Sequence, residues 1–384
     1  MADGFQSGRR EFLKSICAVT AGLLVYSKGD SCGFSPIQKA FGQSTQTIYY
    51  VDAINGDDNN QGLAAADAWR TVQKVNSMRF EPGSQILFKR GQIFNSGPLR
   101  PQDGGETGRP IIYGSYGNAK FRPGIVHSKI LSTFSKVGAN TWVATVDGIG
   151  RNHTPIKIAR DIRTREILRG RRQELSAVKR EGDFLHDVTR KLFYVFSIDD
   201  PSDVIEVPQS NSLAILRRDW ITIQTLRFDL ANDFCIEIGG SNLVIRRCTA
   251  MNASNSGMQT PAGDISNCLI DENEAFGNGG SGIQVNSSRA KDNFTIQRNK
   301  IHHNCLDIVA GRHDQLNYTG GIKVLAGGSG KNLIIQQNTV WENGNIVKNL
   351  EDNSQAILKG AGIYLDTWRP DGAVVRHNRV CENV

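Results

Sequence analysis

From residue 221 onward, short runs of alternating apolar and polar residues recur. Ile221–Leu226, Leu243–Cys248, Cys268–Asn273, Phe294–Asn299, Leu333–Asn338 and Ala373–Asn378 align without gaps. The first position is always apolar, and the third reads Ile223, Ile245, Ile270, Ile296, Ile335 and Val375. Two residues past the sixth position comes another apolar residue: Phe228, Ala250, Ala275, Ile301, Val340 or Val380. Three residues further on, the last four repeats carry Asn278, Asn304, Asn343 and Asn383. The sixth positions are 22, 25, 26, 39 and 40 residues apart. One coil of about 22 residues, lengthened by surface insertions, accounts for every interval.

A short alternating strand, a tight bend and an Asn column are the requirements of a right-handed single-stranded parallel β-helix, an all-β solenoid. Each coil should stack on the last at roughly 4.8 Å. An inward Asn at a bend can satisfy backbone groups on its own coil and the next, so Asn273, Asn299, Asn338 and Asn378 are expected to form a ladder. A leucine-rich repeat lacks its L-x-x-L-x-L signature here.

A second strand occurs once per coil: Cys235–Ile238, Gly257–Thr260, Gly282–Val285, Gly321–Val324 and Gly362–Leu365. Its apolar flanks face inward, so stacking builds an outward column of Glu237, Gln259, Gln284, Lys323 and Tyr364. Any alternating strand presents one solvated face, and the column alone does not make a site. Two long insertions, Cys305 to Gly320 and Gly344 to Ala361, fall in adjacent coils beside Lys323 and Tyr364 and are expected to wall them. The first carries Asp307, Arg312, His313, Asp314 and Tyr318; Asp366, Trp368 and Arg369 follow the last second strand. His302 and His303 sit at a bend remote from the column, so His313 is weighted above them.

Composition narrows the class. The chain has 384 residues, 39% hydrophobic and 22% charged, which excludes a disordered chain. Gly is 40 against Pro 11, without a collagen period. The net charge of +7 lies in two places: residues 1–42 (five bases, three acids) and 157–191 (eleven bases, six acids). The latter could attract an anionic polymer but reads as a solvated hairpin; no nucleic-acid partner is expected. The seven Cys show no C-x-x-C spacing, so zinc-ribbon and thioredoxin-like readings fail.

The N-terminus reads Arg9-Arg10-Glu11-Phe12-Leu13-Lys14 before a short apolar run ending at Tyr26, too short for a comfortable membrane span. It resembles the bacterial twin-arginine export signal. Ala40-Phe41-Gly42 offers a cleavage site before Gln43. The resemblance implies a signal peptide over 1–42, the twin-arginine translocase as a transient partner, no membrane span after processing, and a periplasmic or extracellular protein. Export of a protein folded in a reducing cytoplasm implies that Cys235, Cys248, Cys268 and Cys381 stay reduced in the core.

The repeats, with Tyr49-Tyr50-Val51-Asp52, Asn55-Gly56-Asp57-Asp58-Asn59 and Ala68-Trp69-Arg70-Thr71-Val72, resemble the pectate-lyase-like superfamily of secreted parallel β-helix proteins over roughly residues 48–384. A domain over 43–384 follows, with a cap at about 48–80 and coils at about 213–384. Trp69, Val72, Val75 and Met78 fit one face of a capping helix. Lys191–Phe196 and Val204–Val207 look like a strand pair inserted at about 150–207. Asp57 and Asp58 could bind calcium but read as a polar turn. The chain stops after a repeat motif, so its C-terminal end is expected to be missing or its last coil exposed.

The resemblance permits several activities. The leading expectation is a polysaccharide lyase acting on a uronic-acid glycan, an acidic polysaccharide. Lys323 would be the base, Tyr364 the acid, and Arg312, Arg369 or a calcium ion on Asp366 would neutralise the carboxylate, with His313 as a further catalytic candidate. Glu237, Gln259, Gln284, Trp368 and Arg369 would line the substrate. The alternatives are a glycoside hydrolase pairing Asp366 with Asp307 or Asp314, and a non-catalytic glycan-binding or surface protein.

Overall fold

A computed structural model describes residues 46–149, 153–261, 263–286, 291–306, 319–325, 331–348, 355–366 and 372–383. Residues 1–42, expected to be an export signal, and Asp307, Arg312, His313, Asp314, Tyr318, Trp368 and Arg369 lie outside the described residues.

The alternating runs become strands that stack coil upon coil into a right-handed parallel β-helix with three sheets. The first sheet has nine parallel strands and runs from Ile48–Val51 to Val374–Arg376. The second has eight, from Ile93–Phe94 to Arg379–Cys381. The third starts at Ser212–Leu216 and ends on Gln355–Asp366, with Gly344–Lys348 folded back against it as an antiparallel edge. The solenoid therefore begins well before residue 213, at strands whose hydrophobic pattern is too irregular to join the alignment.

Register follows the sequence alignment. Ile223, Ile245, Ile270, Ile296, Ile335 and Val375 pair successively. The first five are buried, and Val375, in the last described coil, is exposed. The bends after the last six first-sheet strands each place a non-glycine residue in the left-handed region: Thr225, Arg247, Glu272, Arg298, Gln337 and His377, with φ of 53–58°. Such a conformation costs an L-residue free energy. At the last four of these bends, the Asn that follows holds it in place. Asn273 donates from its backbone N–H and Nδ2 to Asn299 Oδ1 at 2.9 and 3.0 Å, and Asn299 Nδ2 donates to the Ile270 carbonyl at 3.0 Å. The pattern repeats through Asn338 to Asn378. The same geometry recurs at the second bend, where Asn278, Asn304, Asn343 and Asn383 form a parallel ladder. Both ladders put otherwise orphaned backbone groups into hydrogen bonds inside the core.

The glycines opening the third-sheet strands follow from that ladder. A Cβ on Gly321 would stand 2.6 Å from Val340 Cγ1 and 2.8 Å from Asn343 Nδ2; Gly257, Gly282 and Gly362 face the equivalent ladder atoms.

The helix Val72–Ser77 closes the N-terminal end, burying Val72 and Val75 with Trp69 against the core that contains Val51 and Ile86. Asp57 and Asp58 serve the preceding turn. Asp57 accepts from the Asn59 backbone N–H at 2.9 Å, and Asp58 from the Arg70 and Thr71 backbone N–H groups at 2.8 and 2.9 Å and the Thr71 hydroxyl at 2.6 Å. These hydrogen bonds are those of a polar turn.

The segments expected to pair with each other do form strands, Leu192–Phe196 and Ile205–Pro208, but on different sheets. Leu192–Phe196 pairs with Asp183–Asp187 and Thr141–Thr145; Ile205–Pro208 pairs with Ser128–Leu131 and Ala159–Asp161. They belong to an inserted body with its own core, including Phe184, Phe193, Val195 and Val207. Arg160 ties it to the solenoid, donating to Glu206 at 2.7 Å and to buried Asp229 at 3.0 Å. Cys235, Cys248, Cys268 and Cys305 are free and buried, and Cys381 is partly buried. No helix among the described residues is long and apolar enough to cross a membrane.

Candidate functional site

The outward column of the third sheet stands in the register expected of it. Glu237 pairs with Gln259, Gln259 with Gln284, Gln284 with Lys323, and Lys323 with Tyr364. The flanks Ile236, Ile238, Met258, Ile283, Val285, Ile322 and Val324 are buried, which turns Glu237, Gln259, Gln284 and Lys323 outward, whereas beside Tyr364 Ile363 is partly buried and Leu365 is 42% exposed. All five column residues are half-buried. Lys323 and Tyr364 occupy neighbouring strands, so their Cα atoms are about 4.8 Å apart.

Local partners grade this face from one end to the other. Glu237 is committed to an ion pair with Arg217 at 3.1 Å and accepts a long hydrogen bond from the Ser212 hydroxyl at 3.5 Å. Gln284 accepts from the Ser256 hydroxyl at 3.1 Å and donates to Asn286 at 2.8 Å. Glu237 and Gln284 are thus polar but internally held, while Gln259 Oε1 is buried with no hydrogen-bond partner among the described residues. The buried thiol of Cys305 feels the charge of Lys323. Burial pushes its pKa up to about 11, against a hydrogen bond from Thr319 and the positive charge of Lys323, which favour the thiolate.

Asp366 pairs through its backbone with Leu325 at the end of the same strand pair. No three His, Cys, Asp or Glu side chains cluster as a metal site among the described residues. Gly344–Lys348 pairs antiparallel with Gln355–Lys359.

A second outward column was not singled out in the sequence. On the second sheet Met251, Phe276, His302 and Trp341 stack in register. The signal was present one residue beyond the apolar positions Ala250, Ala275, Ile301 and Val340, but reading it required trusting the repeat register over the apparent remoteness of His302.

The family described as "Right handed beta helix region" matches residues 204–380. A curated lacto-N-biosidase of Bifidobacterium longum is 35% identical over 79 residues, which is 20% of this chain and 5% of that protein. Among solved structures, XylC in complex with xylose is similar over 87% of this chain and 63% of that one, with a TM-score of 0.56 and 13% identity. A lacto-N-biosidase from Eubacterium ramulus is similar over 88% of this chain and 68% of that one, with a TM-score of 0.35 and 13% identity. The chain spans a twentieth of the curated relative and less than two thirds of XylC. By fold, this is a right-handed parallel β-helix protein.

Proposed function

We propose that this is an exported carbohydrate-active enzyme that cleaves a uronic-acid glycan by β-elimination on the outward face of the third sheet. The observation that carries the reading is the pairing of Lys323 with Tyr364 on adjacent strands of that face. The carbohydrate class is supported by the names of similar proteins, a lacto-N-biosidase and XylC bound to xylose.

The chemistry asks for three groups. A cationic group neutralises the substrate carboxylate so that the neighbouring C5 proton becomes acidic. The Lys323 amine removes that proton as the C4–O bond breaks and a C4–C5 double bond forms. The Tyr364 hydroxyl delivers a proton to the leaving oxygen. Arg312 and Arg369 are proposed to bind the carboxylate, with His313 as a further catalytic candidate. Glu237, Gln259, Gln284 and Trp368 are proposed to hold the flanking sugars. Asp366 is the candidate for holding a calcium ion, whose charge would serve the same carboxylate.

Glycoside hydrolysis is the second reading, favoured by the likeness to a lacto-N-biosidase. It would use Asp366 with Asp307 or Asp314 as the carboxylate pair. Product chemistry separates the two, because elimination leaves an unsaturated, ultraviolet-absorbing end and hydrolysis leaves a saturated reducing end. In an active preparation, Lys323→Ala should abolish turnover, and Tyr364→Phe should slow it by roughly 10²–10⁴. Full activity of Lys323→Ala would remove this column from the mechanism.

Export through the twin-arginine route belongs to the same proposal. Replacing Arg9 and Arg10 with lysines should trap the protein in the cytoplasm, and mass spectrometry of the exported wild type should find an N-terminus at Gln43. An exported chain starting upstream of Arg9 would contradict this.

A further inference from the structure

The outward face of the second sheet carries a titratable cluster that plays no part in the proposed elimination. The rings of Phe276, His302 and Trp341 stack along the solenoid, with centroids 5.1 Å apart for Phe276–His302 and 4.2 Å for His302–Trp341. This stack fixes the plane of the His302 ring and leaves its side chain 15% exposed. His303 follows at a left-handed bend with φ 51°. Its ring stands at 84° to that of His302 and its side chain is 56% exposed.

Four groups from three successive coils follow one another within contact distance. Glu274 Oε1 lies 3.5 Å from His302 Nε2, and Glu342 Oε2 lies 3.0 Å from His303 Nε2. Between them, His302 Nδ1 and His303 Nδ1 are 2.8 Å apart. An ionised carboxylate can only accept, so each Nε2 facing one carries its proton. With both protons on Nε2, both Nδ1 atoms present lone pairs to each other. Two lone pairs at that separation repel unless a cation stands between them.

We propose that His302 and His303 bind a divalent transition cation of the zinc, copper and nickel class through their Nδ1 atoms, with Glu274 and Glu342 orienting the two rings. Imidazole nitrogen suits these metals, whereas calcium and magnesium prefer oxygen. A carboxylate on the far nitrogen is the usual support of a metal-binding histidine, fixing its tautomer and raising its basicity. Zinc–nitrogen bonds of about 2.0–2.1 Å in a tetrahedral array set the two nitrogens roughly 3.3 Å apart. The exposed His303 ring can supply that small opening while His302 stays stacked. The Cys381 thiol does not join, because Trp341 lies between it and His302 in the column. Two protein ligands are therefore completed by water. Because the orienting carboxylates come from the coils before and after, the bound cation fastens three coils together and stabilises the fold by mass action.

The test uses the full chain, zinc chloride as the probe, calorimetry for affinity and copper(II) electron paramagnetic resonance for nitrogen ligation. His302→Phe keeps the ring stack, and His303→Asn keeps a residue that tolerates the left-handed bend. Both should retain the wild-type circular dichroism. The wild type should take up zinc, show two-imidazole copper ligation and gain thermal stability with zinc. Each variant should lose these properties, and Glu342→Gln should weaken zinc binding by about 10–100-fold. Equal zinc uptake and thermal response in the wild type and both variants would overturn the proposal. So would a wild type that takes up no zinc in large molar excess, since the imidazole pair would then be held by a proton alone.

Discussion

Asn338 occupies the centre of the first ladder and shows how single residues specify the coil. Its Oδ1 accepts the Asn299 backbone N–H at 3.0 Å and Nδ2 at 2.9 Å, and its Nδ2 donates to the Ile296 carbonyl at 3.0 Å and Asn378 Oδ1 at 2.9 Å. The side chain is almost fully buried. Asn338→Ala should therefore cost about 1–3 kcal/mol for each buried group left without a partner. Asn332, in an exposed column bonded to Asn293 at 2.9 Å, gives the contrast. Asn332→Gly, which suits its left-handed φ of 58°, should stay within about 0.5 kcal/mol of the wild type. Equal denaturant midpoints for the two variants would contradict the ladder account. The first ladder was legible because its members occupy one position of a gapless alignment. The ladder role of Asn278, Asn304, Asn343 and Asn383 was not, although the column itself was. It depends on a second bend whose geometry no single coil's sequence displays.

At the scale of elements, the third-sheet strand Thr319–Leu325 joins the ladder to the candidate site. Gly321 opens against Val340 and Asn343, and Lys323 projects outward two residues later. Gly321→Ala should destabilise by roughly 1–3 kcal/mol, as overpacking does. Gly263→Ala, where an added Cβ meets nothing within 4 Å, should be neutral. Chemical denaturation of the two variants checks this, and indistinguishable midpoints would mean that the coils yield where the ladder account requires them to be tight. The inserted body shows where reading by element failed. Period-2 alternation located the strands Leu192–Phe196 and Ile205–Pro208, but apart from Asp183–Asp187 their partners lie far away in sequence. Glu206, for instance, pairs with Ile130. Parallel coils repeat and so reveal their pairing, whereas an antiparallel insertion occurs once and leaves no second copy to align.

At the scale of the whole molecule, stacking turns a weak local pattern into a surface with a polarity of its own. The third-sheet face runs from the arginine-held Glu237, through the glutamines, to Lys323 and Tyr364. The order of that column was readable from sequence because each strand's apolar flanks fix which residue faces out. The stacked rings of the second sheet were not read, since their proximity arises only when coils 26 and 39 residues apart are superposed. The central claim is that the Lys323–Tyr364 pair performs elimination on a glycan carrying uronic acid. The most direct measurement is product analysis after incubating the full chain, and its Lys323→Ala variant, with a panel of acidic and neutral polysaccharides. The account predicts unsaturated, ultraviolet-absorbing ends from an acidic glycan with the wild type and none with the variant. Saturated reducing ends, or undiminished cleavage by Lys323→Ala, would contradict it.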